Sequence, residues 1–169
     1  MTLRLLSSTL VLIVLLPGLL SASQHSDFSL KDLNGEIHRV SELQGKWLVM
    51  NFWATWCTPC IEEMPELEDF HRRHKDKDAV VWGITFEEIG EQKIRNFLFE
   101  LDITYPILGY GQEPNTGFGK VSVLPTTFLI DPHGRFFKRY EGPITAAHLE
   151  RDISSDFSEQ SRERKRQHQ

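Results

Sequence analysis

Residues 47–53, Trp-Leu-Val-Met-Asn-Phe-Trp, form a nearly unbroken apolar run that leads into Trp56-Cys57-Thr58-Pro59-Cys60. A run of that length with one polar side chain predicts a strand covered on both faces, and so a sheet held between other layers. From 57 to about 74 the pattern changes period. Ile61, Met64, Leu67, Glu68 and His71 recur at helical spacing, and Glu62, Glu63, Glu66 and Asp69 stand in the early turns, where carboxylates suit the helix dipole. Pro65 inside this helix predicts a kink. A buried strand running straight into a helix opens a βαβ unit, which requires a parallel partner strand and a right-handed crossover.

The partner is read at 79–85, followed by an amphipathic helix at 91–101 carrying Ile94, Phe97, Leu98 and Leu101. A short extended segment at 105–108 and a glycine-rich loop at 109–119 come next. Two strands, 126–130 and 135–140, are joined by Asp131-Pro132-His133-Gly134, a tight-turn composition. A final helix runs from Thr145, its expected N-cap, to about 153. Upstream, 28–40 reads as a β-hairpin with Asn34-Gly35 as a two-residue turn. The fold class is α/β: a mixed central sheet with helices on both faces, an antiparallel edge and an added N-terminal hairpin.

The chain of 169 residues has room for one domain, assigned to 26–156, and the polar, charged stretch 157–169 is expected to be a disordered tail. Residues 1–23 differ in kind: Arg4 precedes an apolar stretch from Leu10 to Leu20, and Ser21-Ala22-Ser23 follows. This is the layout of a signal peptide cleaved after Ser23, with an uncleaved membrane anchor as the alternative. The protein is then periplasmic or otherwise extracytoplasmic, with inner-membrane anchoring as the variant. A net charge of -5 argues against a nucleic-acid partner.

Both cysteines, three apart, sit where strand hands over to helix, close enough to form a disulfide. Unpaired N–H groups and the dipole at a helix start favour a thiolate at Cys57, the species that attacks disulfides. Cys60, a turn further in, is placed to resolve the mixed disulfide. Pro59 lacks an N–H that the first turn would leave unsatisfied anyway. A purely structural disulfide and a metal site are the competing readings. Zinc lacks a second ligand pair, and His71 and His74 read as part of a solvated face. The glycines at 109, 111, 117 and 119 do not follow the order of a nucleotide-binding loop.

The segment Asn51-Phe52-Trp53-Ala54-Thr55-Trp56-Cys57-Thr58-Pro59-Cys60, with Glu63 and Pro65, resembles the thioredoxin superfamily, and within it the TlpA/ResA/CcmG-like extracytoplasmic thiol–disulfide oxidoreductases. The hairpin segment 28–35, the strand 80–85 and Leu124-Pro125-Thr126-Thr127-Phe128-Leu129-Ile130-Asp131 agree with that resemblance. It implies a thioredoxin-like three-layer sandwich, a Cys57–Cys60 redox disulfide as the only redox group, and a cis Leu124–Pro125 bond facing the cysteines. A substrate chain could pair there with the backbone of Leu124. Trp56, Thr58 and Pro59 would support the site. Two departures matter. Asn51 stands where thioredoxins proper have a buried aspartate, and an amide takes no proton from Cys60. Thr58 stands where some reductive members have a glutamate. Glu87, Glu88 and Glu63 are candidates for the proton acceptor, and each could equally be a surface carboxylate.

The function read from this is periplasmic thiol–disulfide exchange, in the reducing direction, on protein disulfides. Clients such as apocytochrome c or a metal-site assembly protein are implied by the resemblance, with nothing in the residues selecting between them, and the electrons would come from a membrane or periplasmic thiol donor. A thiol oxidase or isomerase is the alternative on the same site. A copper chaperone would need histidines beside Cys57, and neither His133 nor His148 has an evident reason to be there. A peroxidase would need a threonine three before Cys57, where Ala54 stands.

Overall fold

A computed structural model describes residues 28–85, 87–109 and 117–167. The leader read at 1–23 and most of the 109–119 loop lie outside these residues. Ten elements follow in order: β1 (Ser29–Lys31), β2 (Ile37–Arg39), β3 (Trp47–Phe52), α1 (Thr58–His74), β4 (Ala79–Ile84), α2 (Glu91–Glu100), β5 (Ile107–Leu108), β6 (Thr126–Ile130), β7 (Phe136–Glu141) and α3 (Ala146–Gln167), with a 3₁₀ turn at Val40–Leu43. The main sheet has the order β5-β4-β3-β6-β7. β3 pairs in parallel with β4, β4 in parallel with β5, and β6 antiparallel with both β3 and β7. This is the thioredoxin-like fold with the expected parallel opening and antiparallel edge.

β3 is central, and every one of its residues is buried. Alternation along it divides the core. Trp47, Val49 and Trp53 point to the side where Met64 and Leu67 of α1, Ile94 and Leu98 of α2, and Leu149 and Ile153 of α3 pack. Leu48, Met50 and Phe52 point to the other side, where Trp82, Ile84, Phe128 and Ile130 are covered by Phe28 and Leu30 of the hairpin, Val40 and Leu43, and residues 118–121. Among the described residues the three α-helices therefore line one face, and the hairpin with its 3₁₀ turn lines the other.

Three local expectations are corrected. Asn34-Gly35 is part of a three-residue loop, closed by Asp32 N–H to Glu36 O at 2.9 Å, with Gly35 at φ 83°. The Asp32 carboxylate takes the N–H groups of Asn34 (2.8 Å) and Glu36 (2.9 Å), which rewards the extra residue. β7 begins one residue late because the Arg135 N–H is held by Asp131 Oδ1 at 2.9 Å. The tail expected to be disordered from 157 continues instead as helix α3 through Gln167. It holds no glycine or proline and is rich in Glu, Gln, Arg and Lys, so a helix nucleated by the packed turns around Leu149 and Ile153 propagates cheaply.

Gly83 on β4 is held by packing. A Cβ there would lie 2.5 Å from Ile107 Cδ1, 3.0 Å from Tyr105 Cε2 and 3.1 Å from Trp53 Nε1. Gly83→Ala is expected to destabilise the protein by about 1–3 kcal/mol, read from the urea midpoint at constant slope.

Candidate active site at the strand-to-helix junction

The pairing register brings three loops to one end of the sheet. Phe52, the last residue of β3, pairs with Ile84, the last of β4, and with Thr126, the first of β6. The loops 53–57, 85–90 and 123–125 therefore leave the sheet side by side. The Trp53 N–H makes the last rung to Ile84 O at 3.1 Å, and the chain then turns, with the Cys57 N–H on Ala54 O at 3.1 Å. Cys57 is the extended N-cap residue of α1, and Pro59 lies in the first turn. The Cys57 carbonyl accepts from the N–H groups of Cys60 (3.0 Å) and Ile61 (3.1 Å).

Cys57 and Cys60 are joined by a disulfide, with Cα atoms 5.3 Å apart. Cys60 is fully sealed, as its place a turn deeper requires. Cys57 is only 5% exposed, less open than the sequence reading expects, while the neighbouring Trp56 is 71% exposed. Cys57 lies within the α-helical side of the core. The Leu124–Pro125 peptide is cis. Leu124 packs against both halves of the core, and Pro125 O accepts from the Gly142 N–H at 2.9 Å. Val123, which precedes Leu124, is 45% exposed on a loop that leaves the sheet beside the one carrying Trp56.

A buried polar cluster joins β3, β6 and α1. Asn51 Nδ2 donates to Glu63 Oε1 at 2.7 Å and to Thr127 Oγ1 at 2.9 Å. The Ile144 N–H donates to Glu63 Oε2 at 2.8 Å. Glu63 is 2% exposed, and burial pushes its carboxyl from an ordinary 4.5 up to about 7, against the opposing pull of the Ile144 and Asn51 donors. Helical spacing puts it on the same side of α1 as Cys60. Glu63 is thus no surface carboxylate serving the helix dipole. Its signal in the sequence is its position three after Cys60 and four before Leu67, on the buried stripe.

Glu87 and Glu88 separate. Glu88 is exposed, whereas both oxygens of Glu87 are taken by Thr55, from its N–H at 2.6 Å and its hydroxyl at 3.0 Å. His71, read as part of a solvated face, is buried, and its Nδ1 accepts the Val81 N–H at 3.1 Å. Two further carboxylates of α1 hold neighbouring segments: Glu66 takes the Ala146 N–H at the start of α3 (3.1 Å), and Glu68 takes Thr104 and Tyr105. Thr127 and Ile144 were invisible as site residues because tertiary pairing alone brings them to Asn51 and Glu63. Among the described residues, Asn51 Oδ1, Trp53 Nε1 and the Tyr105 hydroxyl are buried with no hydrogen-bond partner.

A thioredoxin-like sheet with a Cys-x-x-Cys disulfide at the start of its first long helix defines the class of thiol–disulfide oxidoreductases. Residues 22–138 match the model of the AhpC/TSA family, and the chain belongs to that family. It is 36% identical over 140 residues to the thioredoxin-like protein YneN of Bacillus subtilis, covering 82% of each chain. It is 35% identical over 131 residues to the thiol-disulfide oxidoreductase ResA of Geobacillus kaustophilus, covering 76% of this chain and 74% of that one. Among solved structures, a DsbF homologue from Corynebacterium diphtheriae superposes with a TM-score of 0.70 at 27% identity, over 77% of this chain and 84% of the other.

Proposed function

We propose that this oxidoreductase works outside the cytoplasm and reduces disulfides in protein substrates, with Cys57 as nucleophile and Cys60 as resolving thiol. The Cys57 thiolate attacks one sulfur of a substrate disulfide; a mixed disulfide forms and one substrate thiolate leaves, taking a proton from solvent. Cys60 gives its proton to the Glu63 carboxylate and attacks Cys57 Sγ. The second substrate thiolate departs, and the enzyme is left with the Cys57–Cys60 bond. A protein thiol donor, membrane-bound or periplasmic, returns it to the dithiol. The disulfide is the only redox group in this scheme, and no metal or other cofactor takes part.

One observation carries the reading: a sealed Cys60 lies on the same side of α1 as a buried carboxyl brought to about 7, the range in which a group can both take and return a proton near neutrality. Trp56 and Val123 offer apolar contact, and the backbone of Leu124 before Pro125 offers an edge for an extended substrate. Thr58 and Pro59 shape the first turn. The layout of residues 1–23, read as a leader, supports export, and no helix among the described residues is long and apolar enough to cross a membrane. The resemblance to the TlpA/ResA/CcmG-like group suggests clients such as apocytochrome c or a metal-site assembly protein.

Two measurements test this. Cys60→Ser should trap substrate proteins on Cys57 as mixed disulfides, released by dithiothreitol, whereas Cys57→Ser should trap none. The couple should equilibrate near thioredoxin's potential, about -270 mV. A value near about -120 mV would reassign the protein as an oxidase.

A further inference from the structure

We infer that Glu87 is a positioning residue for Cys57: it clamps the turn that presents the nucleophile, and its negative charge restrains the ionisation of the thiol. This rests on Cys57 being the attacking thiol. The Ala54–Cys57 turn has Thr55 and Trp56 at its centre and is closed by the Cys57 N–H on Ala54 O at 3.1 Å. β3 ends before it, so no ladder bond secures the Thr55 N–H. Glu87 supplies that bond from the neighbouring loop at 2.6 Å and takes the Thr55 hydroxyl with its other oxygen at 3.0 Å. Two bonds from one carboxylate to one residue fix both the position and the rotation of the turn, and bonds to an ionised acceptor are about twice as strong as neutral ones.

The second consequence is electrostatic. The start of α1 stabilises a thiolate at Cys57. A carboxylate bonded two residues upstream opposes it, because like charges disfavour each other's ionised forms. A less ionised thiol makes a less stable dithiol form, so Glu87 holds the couple toward the reducing side. Ionisable groups at the ends of the elements that meet at this edge of the sheet include Glu62 and Glu63 of α1, Glu88 beside Glu87, Lys120 before β6 and Glu141 at the end of β7. Glu62 and Glu88 are exposed and Glu63 is buried, and among these acids only Glu87 is bonded to the turn itself.

The test uses the full-length protein carrying Cys60→Ser, so that Cys57 alone reacts, and follows its rate with iodoacetamide against pH. Glu87→Gln removes the charge and should move the midpoint of that profile down by about half a pH unit. Thr55→Val keeps the charge and the N–H bond but loses the hydroxyl. It should leave the midpoint in place in the Cys60→Ser background and, with Cys60 intact, lower kcat/KM for exchange about two- to fivefold. An unmoved or raised midpoint in Glu87→Gln overturns the inference, as does a wild-type kcat/KM in both variants. Failure of the functional reading looks different: the parent protein itself would then show no reactive Cys57.

Discussion

Glu63→Gln is expected to flatten a pH dependence of stability that the wild type shows between about pH 5 and 8. The side chain is 2% exposed, and its carboxyl moves from an ordinary 4.5 to about 7 on folding. The folded state therefore binds this proton more tightly than the unfolded chain. The resulting stabilisation is complete below the unfolded value and is lost as pH rises through about 7, a loss of about 3 kcal/mol in all. Glutamine stays neutral and should show no such loss. It also fits: its amide can donate to Asn51 Oδ1, buried without a partner, once the Asn51 amide rotates. Urea midpoints at pH 5 and pH 8 measure this, and a wild type with equal midpoints would contradict the assignment of Glu63 as the buried acid. The same variant should slow exchange at pH 7 by about 10²-fold, because Cys60 loses its proton acceptor.

Glu68→Ala is expected to cost about 3 kcal/mol or more, with the opposite response to acid. Glu68 lies five residues further along α1 and is also buried, but it is held by donors. Thr104 gives its N–H (2.7 Å) and hydroxyl (2.6 Å), Tyr105 its N–H (3.3 Å), and Arg72 its Nε at 2.5 Å. Burial raises its carboxyl, but the bonds from Thr104, Arg72 and Tyr105 outweigh it and hold the group below the usual carboxylate range. Its contribution is therefore present above about pH 4.5 and lost as pH falls through the lower folded value. Removing the side chain strands the Thr104 and Tyr105 N–H groups on the approach to β5. Thermal unfolding at pH 7 and pH 4 should show the alanine variant far below wild type at the first and closer to it at the second. Equal deficits at both would mean that the bonds do not depend on the charge.

Glu63 and Glu68 also show how much was legible beforehand. Both stand among acidic residues of one amphipathic helix, and in the sequence nothing separates them from Glu62 or Asp69 except phase. Phase places them on the apolar stripe; it does not say whether donors or a dry interior meet them there. The cysteine pair was legible because the strand-to-helix handover is a local pattern. Glu87 was half legible. Its place after a parallel strand put it near the site, but its partner Thr55 lies on a different loop, which only the register of β3 against β4 brings beside it. His71 was misplaced because its charged neighbours outweighed its helical phase.

The order of strands and helices, the buried character of β3 and the position of Cys57-Thr58-Pro59-Cys60 followed from periodicity and motif. These depend on neighbours along the chain, where spacing alone constrains geometry. Which carboxylate of α1 joins the buried polar cluster, how far Cys57 is open to solvent, and which loop holds its turn were decided by tertiary structure. Each depends on groups distant in sequence, such as Ile144 against Glu63, and the protonation and exposure of a buried group are set by the atoms that replace its water.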